Sequence, residues 1–393
     1  MADPSPAPRG TRPRDRRAQI LAAATRLFAE RGYARVGMGD IAEAVGVGPS
    51  ALYRHFSGKP DVLSEVVGAG LSPVLEGVRA LPGKAPADAA AAMASFALDQ
   101  RHVGLMWQRE SRNLPPEERR RHRDVIRAIG AGLAAYIRAV RPGETAISAD
   151  VRAWALLSVL TSPAFHRLDP PRHVFEKVLA RLADTVLTAE LPPIDPDART
   201  PPRAGLRPVT RREELLNQAV RMFAAHGYSG VSIEDVGRAV GIAGPSVYNH
   251  WASKLDLLIA TMWRGVAALA TDAATAYRLA VSPADGLDRL LCSYVALSQA
   301  QPEIFGLVIT DIDHLPDDHR HKVRRSQHEY VTEWTHLLRL HRPDLDDTPA
   351  RITVHATLSL AHDLARTPHL RANPTIPPAI TTLSRHLLTL PPT

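Results

Sequence analysis

The stretch that decides the fold is Val36–Lys59, V-G-M-G-D-I-A-E-A-V-G-V-G-P-S-A-L-Y-R-H-F-S-G-K, which recurs 195 positions later as Val231–Lys254, V-S-I-E-D-V-G-R-A-V-G-I-A-G-P-S-V-Y-N-H-W-A-S-K. In each copy, apolar residues at helical spacing fill about two turns and are followed by a glycine, Gly46 or Gly241. Glycine readily adopts the left-handed conformation that stops a helix and redirects the chain. A second short helix follows, with one apolar face and one polar face. Two short helices joined by such a turn are typical of a helix-turn-helix (HTH).

The two copies belong to a longer internal repeat. Arg16–Leu63 can be laid on Arg211–Leu258 without a gap, and 19 of the 48 aligned positions are identical. Further along, Asn113–Glu118 resembles His314–Asp318 at an offset of about 201, and each precedes a basic helix. The sequence therefore predicts one module duplicated in tandem. We call residues 16–63 HTH-1 and residues 209–258 HTH-2.

The composition is that of an ordinary globular protein, with 393 residues, 45% hydrophobic and 23% charged. No apolar run approaches the ~18 residues that a membrane helix needs, and the N-terminus lacks the apolar segment of a signal peptide, so a cytoplasmic location is expected. The single cysteine, Cys292, excludes an intramolecular disulfide, and its place in an amphipathic run predicts core packing. The net charge of +7 indicates an anionic partner.

The rest of each half is patterned as helices, without the period-two alternation typical of strands. Helix starts are predicted at Pro86, Pro116 and near Ser148, and at Pro283, Pro316, Asp346 and Ile376. The predicted fold class is all-α, in two tandem modules that each join a three-helix HTH domain to a helical bundle. The predicted domains are a basic arm (1–15), HTH-1 (16–63), a helical domain (64–190), a proline-rich extended linker (191–208), HTH-2 (209–258) and a second helical domain (259–393).

Each HTH motif is preceded by a basic leader. Arg9–Arg17 contains five arginines and one aspartate, and Arg199–Arg212 places five arginines ahead of the second copy. Two such leaders favour a shared role on DNA phosphates or in the minor groove, and a solubilising tail is the alternative. The candidate contacts are Arg12, Arg14, Arg207 and Arg211.

Base recognition is expected from the exposed face and first turn of the second motif helix, because that end points into the major groove. The candidate residues are Ser50, Ala51, Tyr53 and Arg54 in HTH-1, and Pro245, Ser246, Tyr248 and Asn249 in HTH-2. An arginine can bind guanine and an asparagine can bind adenine through two hydrogen bonds each. Arg54 and Asn249 occupy equivalent positions, so two different half-sites are expected.

The residues around the motif make the chain resemble the TetR (tetracycline-repressor) family of bacterial transcriptional regulators. The shared pattern occurs twice, as Gly32-Tyr33, Tyr53-Arg54-His55-Phe56 and Lys59, and as Gly227-Tyr228, Tyr248-Asn249-His250-Trp251 and Lys254. The resemblance implies phosphate contacts by Tyr53, His55, Lys59, Tyr248, His250 and Lys254, although the histidines could instead cap a helix end and the lysines could be ordinary surface. Ser232 fits the family's hydroxyl cap and phosphate contact, whereas Gly37 departs from it.

The resemblance also implies a small-molecule pocket in the carboxyl-terminal helices of each half. Candidate lining residues are Met93, Phe96, Trp107 and Arg109 in the first half, and Trp263, Tyr294, Phe305 and Asp311 in the second; plain core packing is the alternative. No cofactor and no metal is expected, because the histidines between 314 and 369 do not have the spacing of metal ligands. Those histidines are predicted to lie on solvated helix surface.

The function expected from these patterns is ligand-responsive transcriptional regulation, most simply repression. The expected partners are double-stranded DNA and a small-molecule effector, with no membrane, and the two modules form an intramolecular pseudo-dimer. Two alternatives stay open. The fused chain could dimerise further with one module degenerate, or it could be a small-molecule- or partner-binding protein that has lost DNA contact. An enzyme is not expected, because the sequence shows no nucleophile elbow, phosphate loop or paired carboxylates on a common face.

Overall fold

The computed structural model describes residues 13–199, 206 and 208–391, without the side chains of residues 13–15. Within these ranges the chain is helical and contains no strand, as predicted. The first half contains α1 (Pro13–Arg31), α2 (Met38–Ala44), α3 (Pro49–Leu52), α4 (Lys59–Arg79), α5 (Pro86–Asp99), α6 (Val103–Leu105), α7 (Pro116–Val140), α8 (Ala146–Thr161) and α9 (Arg172–Thr188). The second half contains α10 (Arg211–His226), α11 (Ile233–Ala239), α12 (Gly244–Val247), α13 (Lys254–Leu279), α14 (Pro283–Ala300), α15 (Pro302–Thr310), α16 (Asp317–His341), α17 (Asp347–Arg366), α18 (Pro368–Arg371) and α19 (Ile376–Leu388).

The helix starts follow the predicted signals. Proline is the first residue of α5, α7 and α14, where its missing N–H costs no hydrogen bond. Serine side chains cap α13 and α14 by accepting hydrogen bonds from the backbone N–H groups of Asp256 and Asp285. Of the corresponding helices α5 and α14, both begin with proline, but only α14 has a serine cap.

The chain divides into two compact units. The first comprises the described residues of Met1–Leu75 together with His102–Ile126, and the second comprises Glu76–Arg101 and Arg127–Thr393. In the first unit, the segment after α5 and the beginning of α7 therefore group with HTH-1, whereas α5 belongs to the second unit.

Each HTH domain is held by a small apolar core. In HTH-1, Phe28, Ile41 and Leu52 are fully buried. In HTH-2 the equivalent Phe223, Val236 and Val247 are also fully buried, and they form one cluster with residues of α13 and α15. Burying these side chains removes apolar surface from water, which fixes the three helices of each domain relative to one another.

The carboxyl-terminal helices of the two halves pack against each other inside the second unit. α17 contacts both α8 and α9, and α19 contacts α9. His369 on α18 lies 2.8 Å from a carboxylate oxygen of Asp150, with its ring against the edge of Trp154. The imidazoles of His166 and His355 lie with their ring centres 4.4 Å apart. Helices of both repeats are thus packed together in this unit.

The first part of the linker is packed, which differs from the predicted spacer. Ile194 is buried, and the backbone of Asp195 is hydrogen-bonded to the side chains of Asn373 and Thr375 in the second half. The proline content predicted an extended chain, but sequence composition does not show whether an extended chain has a surface to dock on.

Two other predictions about buried groups are wrong. Cys292 is exposed rather than in the core, because it lies one position beyond the buried Leu291 on α14 and so faces Asp288 and Arg385. Among the histidines assigned to solvated surface, His355 and His362 are packed against aromatic rings. By contrast, His321, His328 and His336 are exposed as predicted.

One helix in the described part of the chain, α13, is long and apolar enough to cross a membrane by length and composition alone, whereas no such run was expected. Its first half supplies Leu257, Leu258 and Met262 to the core of HTH-2. Farther along, Arg264 forms an ion pair of 2.7 Å with Glu213 of α10. These contacts are those of a helix that belongs to the folded domain.

Candidate nucleic-acid interface

The turn between the two motif helices has the geometry that the glycines predicted. Gly46 and Gly241 have φ angles of 66° and 78°, in the left-handed region. The helix that follows is a single α-helical turn in each copy, and its last residue, Leu52 or Val247, is fully buried. The turn and the buried anchor together orient the polar side of this short helix away from the core.

The predicted base-reading residues lie on that outward side. The exposed fraction of the side chain is 58% for Tyr53 and 52% for Tyr248, which are large values for an aromatic residue. Arg54 and Asn249 are exposed next to them. Ser50 and Pro245 are also exposed, and Ala51, Ser246, His55 and His250 are partly exposed. Each copy therefore presents its predicted reading residues together on one surface.

Arginines at the start of each first helix tie the HTH together. A guanidinium nitrogen of Arg16 lies 3.3 Å from the carbonyl oxygen of Val45, and Arg211 makes the same bond of 3.2 Å to Val240. The next arginine, Arg17, donates to the carbonyl of His55 at 3.0 Å and lies over the Phe56 ring. In HTH-2 the equivalent arginine, Arg212, donates to the carbonyl of His250. Its guanidinium carbon lies 3.7 Å from the ring centre of Trp251. The ends of both motif helices are thereby held by the first helix.

A lysine and a tyrosine form a second tie in each domain. The Lys59 ammonium donates to the carbonyl of Tyr33 at 3.0 Å and lies 4.2 Å from the centre of its ring. The Lys254 ammonium donates to the carbonyls of Tyr228 at 3.0 Å and Val231 at 2.9 Å. Burial lowers the pKa of both ammonium groups from the ordinary lysine value. These bonds occupy the lysines structurally, and their predicted phosphate contacts stay predictions.

The helix caps differ between the domains in the way that the sequence indicated. The Ser232 hydroxyl accepts from the N–H of Asp235 at 3.0 Å, and the Asp235 carboxylate accepts from the N–H of Ser232 at 3.0 Å. This is a reciprocal capping box. In HTH-1, Asp40 accepts from the N–H of Gly37 at 2.6 Å, but glycine offers no hydroxyl in return. The DNA contact predicted for Ser232 stays a prediction.

Three predicted arm residues cannot be placed. Arg12 and Arg207 lie outside the described residues, and so does the side chain of Arg14. The fourth, Arg211, is exposed, and besides its bond to Val240 it pairs with Glu214 at 2.5 Å.

The predicted pocket residues of the second half do not all lie together. Tyr294 is buried with its ring 5.2 Å from Phe305, and its hydroxyl lies 3.0 Å from Nδ1 of His362. Tyr330 and Trp334 extend this aromatic cluster. Burial raises the pKa of Tyr294 well above its usual value. Trp263 is half-buried on α13, whereas Asp311 lies elsewhere, against HTH-2.

The predicted pocket residues of the first half also take different positions. Met93 is buried on α5 and Phe96 is half-buried on the same helix. Trp107 and Arg109 belong to a π-helical segment, Met106–Glu110, that groups with HTH-1. The Arg109 guanidinium donates to the carbonyl of Phe28 at 2.5 Å. A pocket role for these residues stays a prediction.

Sequence reasoning missed one site residue, Glu110. Its carboxylate accepts from the N–H of Tyr33 at 3.2 Å, and Asp311 accepts from the N–H of Tyr228 at 3.1 Å. The available signal was the repeat itself, since both positions carry an acid at the offset of 201 that relates the later parts of the two halves.

Comparison with known proteins agrees with this geometry. The model of the family described as bacterial regulatory proteins, tetR family, matches residues 20–66 and again residues 215–261. The HTH-type transcriptional activator FasR of Mycolicibacterium smegmatis is 44% identical over 73 residues, which is 18% of this chain and 33% of the relative. The HTH-type transcriptional regulator BetI of Rhizobium meliloti is 29% identical over 102 residues, which is 26% of this chain and 50% of the relative. The chain thus spans a third to a half of the length of these relatives.

A solved structure of a TetR-family transcriptional regulator from Bordetella parapertussis is 20% identical, with a TM-score of 0.42, and covers 47% of this chain and 100% of the other. The family assignment itself rests on the two separate model matches, because each falls on one of the two HTH domains described above. The chain carries the amino-terminal domain of the tetR family of bacterial regulatory proteins twice, in tandem.

Proposed function

We propose that the chain is a ligand-responsive transcriptional regulator that binds operator DNA through two non-identical HTH domains of one polypeptide. One observation carries the proposal: two HTH domains with exposed reading residues are followed, in the same chain, by helices of the two repeats that pack together. Family members are expected to pair as homodimers. In this chain, α8 and α9 pack against α17 and α19 without a second polypeptide, which supports an intramolecular pseudo-dimer.

The two domains would read different half-sites. Arg54 in HTH-1 and Asn249 in HTH-2 occupy equivalent exposed positions, and they favour guanine and adenine respectively. Two HTH domains of a pseudo-dimer bind half-sites about 34–36 Å apart, one turn of DNA. The operator is therefore expected to consist of two dissimilar half-sites at that spacing, rather than a palindrome. The domain boundaries proposed are those given by the sequence, with each HTH domain followed by its effector and pairing helices.

Regulation would come from a small molecule bound among the carboxyl-terminal helices. In the second half, the buried cluster around Tyr294 offers aromatic faces together with the His362 imidazole, a set suited to a planar apolar ligand with one polar group. Such a ligand shifts the chain between a DNA-binding and a released state only by its difference in affinity for the two. Operator occupancy in the cytoplasm would repress transcription, and the ligand would relieve it.

The alternative is that one HTH domain is a scaffold and the full chain dimerises further. The favoured proposal is supported by the likeness of the two domains, because Tyr53 and Tyr248 are similarly exposed and both domains keep the same arginine and lysine ties. In a domain that does not bind DNA, an exposed tyrosine at this position would leave a large aromatic side chain in water without a function.

The test is selection of sheared genomic DNA by the purified full chain, followed by extraction of the enriched motif and measurement of the chain's molar mass on that DNA. Two dissimilar half-sites about one turn apart, bound by one chain, are the expected result. A palindrome bound by two chains would favour the dimer with one scaffold domain. No enrichment at low salt, where phosphate contacts are strongest, would leave a ligand- or partner-binding protein.

A further inference from the structure

Each half has a buried carboxylate that follows α5 or α14 in sequence but contacts the HTH domain. The Glu110 side chain is 5% exposed and the Asp311 side chain is not exposed at all. As described above, each accepts a hydrogen bond from the backbone N–H of the tyrosine that follows the first HTH helix, Tyr33 or Tyr228. The two acids differ by one methylene, yet the same contact occurs in both copies.

The tyrosine N–H that each carboxylate binds lies between the first helix of the domain and the lysine that follows the recognition helix. The first helix of each domain is followed directly by Gly32 or Gly227, whose φ angles are 79° and 76°. The next residue is the tyrosine whose carbonyl is bound by Lys59 or Lys254. That lysine begins the long helix that follows the reading residues. One tyrosine is thus held at its N–H by a carboxylate and at its carbonyl by a lysine next to the recognition helix.

The segments that carry the carboxylates are irregular. Glu110 ends the π-helical segment, which is followed by a 3₁₀ turn, Ser111–Asn113. Asp311 lies between α15 and the 3₁₀ turn Ile312–His314. π-helical segments are rare and recur at functional sites, and short 3₁₀ turns are common as connectors. A change in either segment would move the carboxylate and, through it, the tyrosine backbone.

We call each pair of carboxylate and tyrosine, Glu110 with Tyr33 and Asp311 with Tyr228, a joint. The residues around the carboxylate differ between the two joints. In the first, Arg109 bonds to Glu110 at 2.8 Å and also to α1 carbonyls, and Asn113 donates to the second carboxylate oxygen at 2.9 Å. In the second, the Thr310 hydroxyl donates to Asp311 at 2.6 Å, and the His314 ring lies 5.0 Å from that of Tyr228. Each joint can therefore be altered without touching the other.

We propose that Glu110 and Asp311 are positioning residues that set the two HTH domains independently, and that each domain's fit to its half-site depends on its own carboxylate. This inference rests on the proposed function, since the setting of a domain matters only if the domain reads DNA. A carboxylate that served stability alone would lower the unfolding temperature without selecting one half-site.

The experiment compares Glu110→Ala and Asp311→Ala in the full chain, bound to the duplex selected by the wild-type chain. Binding is titrated, and the duplex is footprinted with hydroxyl radicals, at a temperature where circular dichroism shows each variant fully folded. Asp311→Ala is expected to weaken binding at least ~10-fold and to lose protection over the HTH-2 half-site only, and Glu110→Ala over the HTH-1 half-site only, because each variant loses the bond from the carboxylate to the tyrosine N–H together with the other bonds that the carboxylate accepts.

Matched controls separate positioning from general damage. Asp313→Ala removes a carboxylate two residues from Asp311 that pairs with Arg324 at 2.9 Å, and Glu118→Ala removes one that accepts from Ser64 at 2.7 Å. Both should leave the two footprints intact. Glu110→Gln and Asp311→Asn keep an acceptor oxygen and should recover most of the lost affinity. Equal loss at both half-sites, or the same loss in the controls, would overturn the proposal.

Amide hydrogen exchange tests the joint without DNA. In Asp311→Ala, exchange of residues 227–232 should rise at least ~10-fold while residues 32–37 keep their protection, and Glu110→Ala should give the reverse pattern. If the wild-type chain selects no duplex but this pattern appears, the DNA-binding proposal fails and the independent joints stand. If exchange in both segments matches the wild-type chain, the joints themselves are refuted, whatever the DNA result.

Discussion

At the scale of single residues, the most informative positions are the equivalent pair Arg54 and Asn249. Both are exposed on the outward side of their motif helix. Replacing Arg54 with alanine should cost about 1–3 kcal/mol at one base of the HTH-1 half-site and relax sequence preference there, and Asn249→Ala should do the same at the HTH-2 half-site. Competition binding against duplexes altered at single base pairs measures this. Loss of preference at both half-sites from one substitution would contradict it.

Lys254 allows a structural role to be separated from a phosphate contact. Its ammonium group is bonded to two carbonyls and lies 4.1 Å from the centre of the Tyr228 ring. Lys254→Met should therefore lower the free energy of unfolding by about 1–2 kcal/mol. Urea unfolding measures this loss, with Lys322→Met, an exposed lysine paired with Asp318, as the control.

The salt dependence of DNA binding tests whether Lys254 also contacts a phosphate. A lysine that neutralises a phosphate contributes about 0.9 to the slope of log affinity against log salt. Because Lys254 is predicted to contact a phosphate, the slope of Lys254→Met should be smaller than that of the wild-type chain by about 0.9. An unchanged slope would show that the ammonium group serves only its bonds within the protein.

At the scale of helices, the two domains differ in how closely their motif helices approach. A methyl group added at Gly237 would lie 2.7 Å from a Val247 methyl and 3.2 Å from the carbonyl of Ile242. Gly237→Ala should therefore destabilise HTH-2 by about 1–3 kcal/mol through overpacking. The equivalent residue in HTH-1 is Ala42, so a methyl group is already buried at this position in that domain.

The control for this prediction is Gly39→Ala in α2, where the added methyl meets no atom within 4 Å. Glycine inside a helix costs roughly 0.5–1 kcal/mol relative to alanine, so this variant should be more stable than the wild-type chain. Thermal unfolding of both variants checks the pair. Destabilisation by Gly39→Ala would show that a feature other than local packing controls these helices.

The sequence predicted the helices well because their signals are local. Gly46 and Gly241 stop one helix, prolines begin others, and the periodic apolar residues identify the buried face of each motif. The contacts between distant parts of the chain were not predictable in the same way. Glu110 lies 77 positions from Tyr33, and no local pattern connects them. The packing of His355 and His362 was also missed, because a polar ring on a helix is buried only when a partner helix covers it.

At the scale of the whole chain, the packing of the two halves includes imidazoles that titrate. The pKa of His166 is lowered to about 2, first by burial and then by the nearby His355 and Arg101. The pKa of His355 is lowered to about 4, first by burial and then by Arg351 and His328. Both rings are neutral in the folded chain. Unfolding releases them to take up protons near pH 6.5, so their contribution is complete above about pH 6.5 and is lost as the pH falls towards the folded values.

The stability of the chain should accordingly fall by about 1.4 kcal/mol per imidazole for each pH unit below about 6.5. Urea unfolding at about pH 7.5 and about pH 5 measures the fall, and His355→Gln should reduce it. His336→Gln, at an exposed position on α16, should leave it unchanged. An equal pH dependence in His355→Gln and the wild-type chain would contradict the prediction.

If the packing of α8 and α9 on α17 and α19 forms the proposed pseudo-dimer, it also changes the order of the DNA-binding reaction. A regulator assembled from separate subunits falls apart on dilution, so its DNA occupancy depends on more than the first power of its concentration at low abundance. A covalently joined pair stays assembled at any dilution, because its partner is present at a fixed effective concentration. Occupancy of an operator by this chain should therefore rise in simple proportion to the number of chains, even when a cell contains only a few of them.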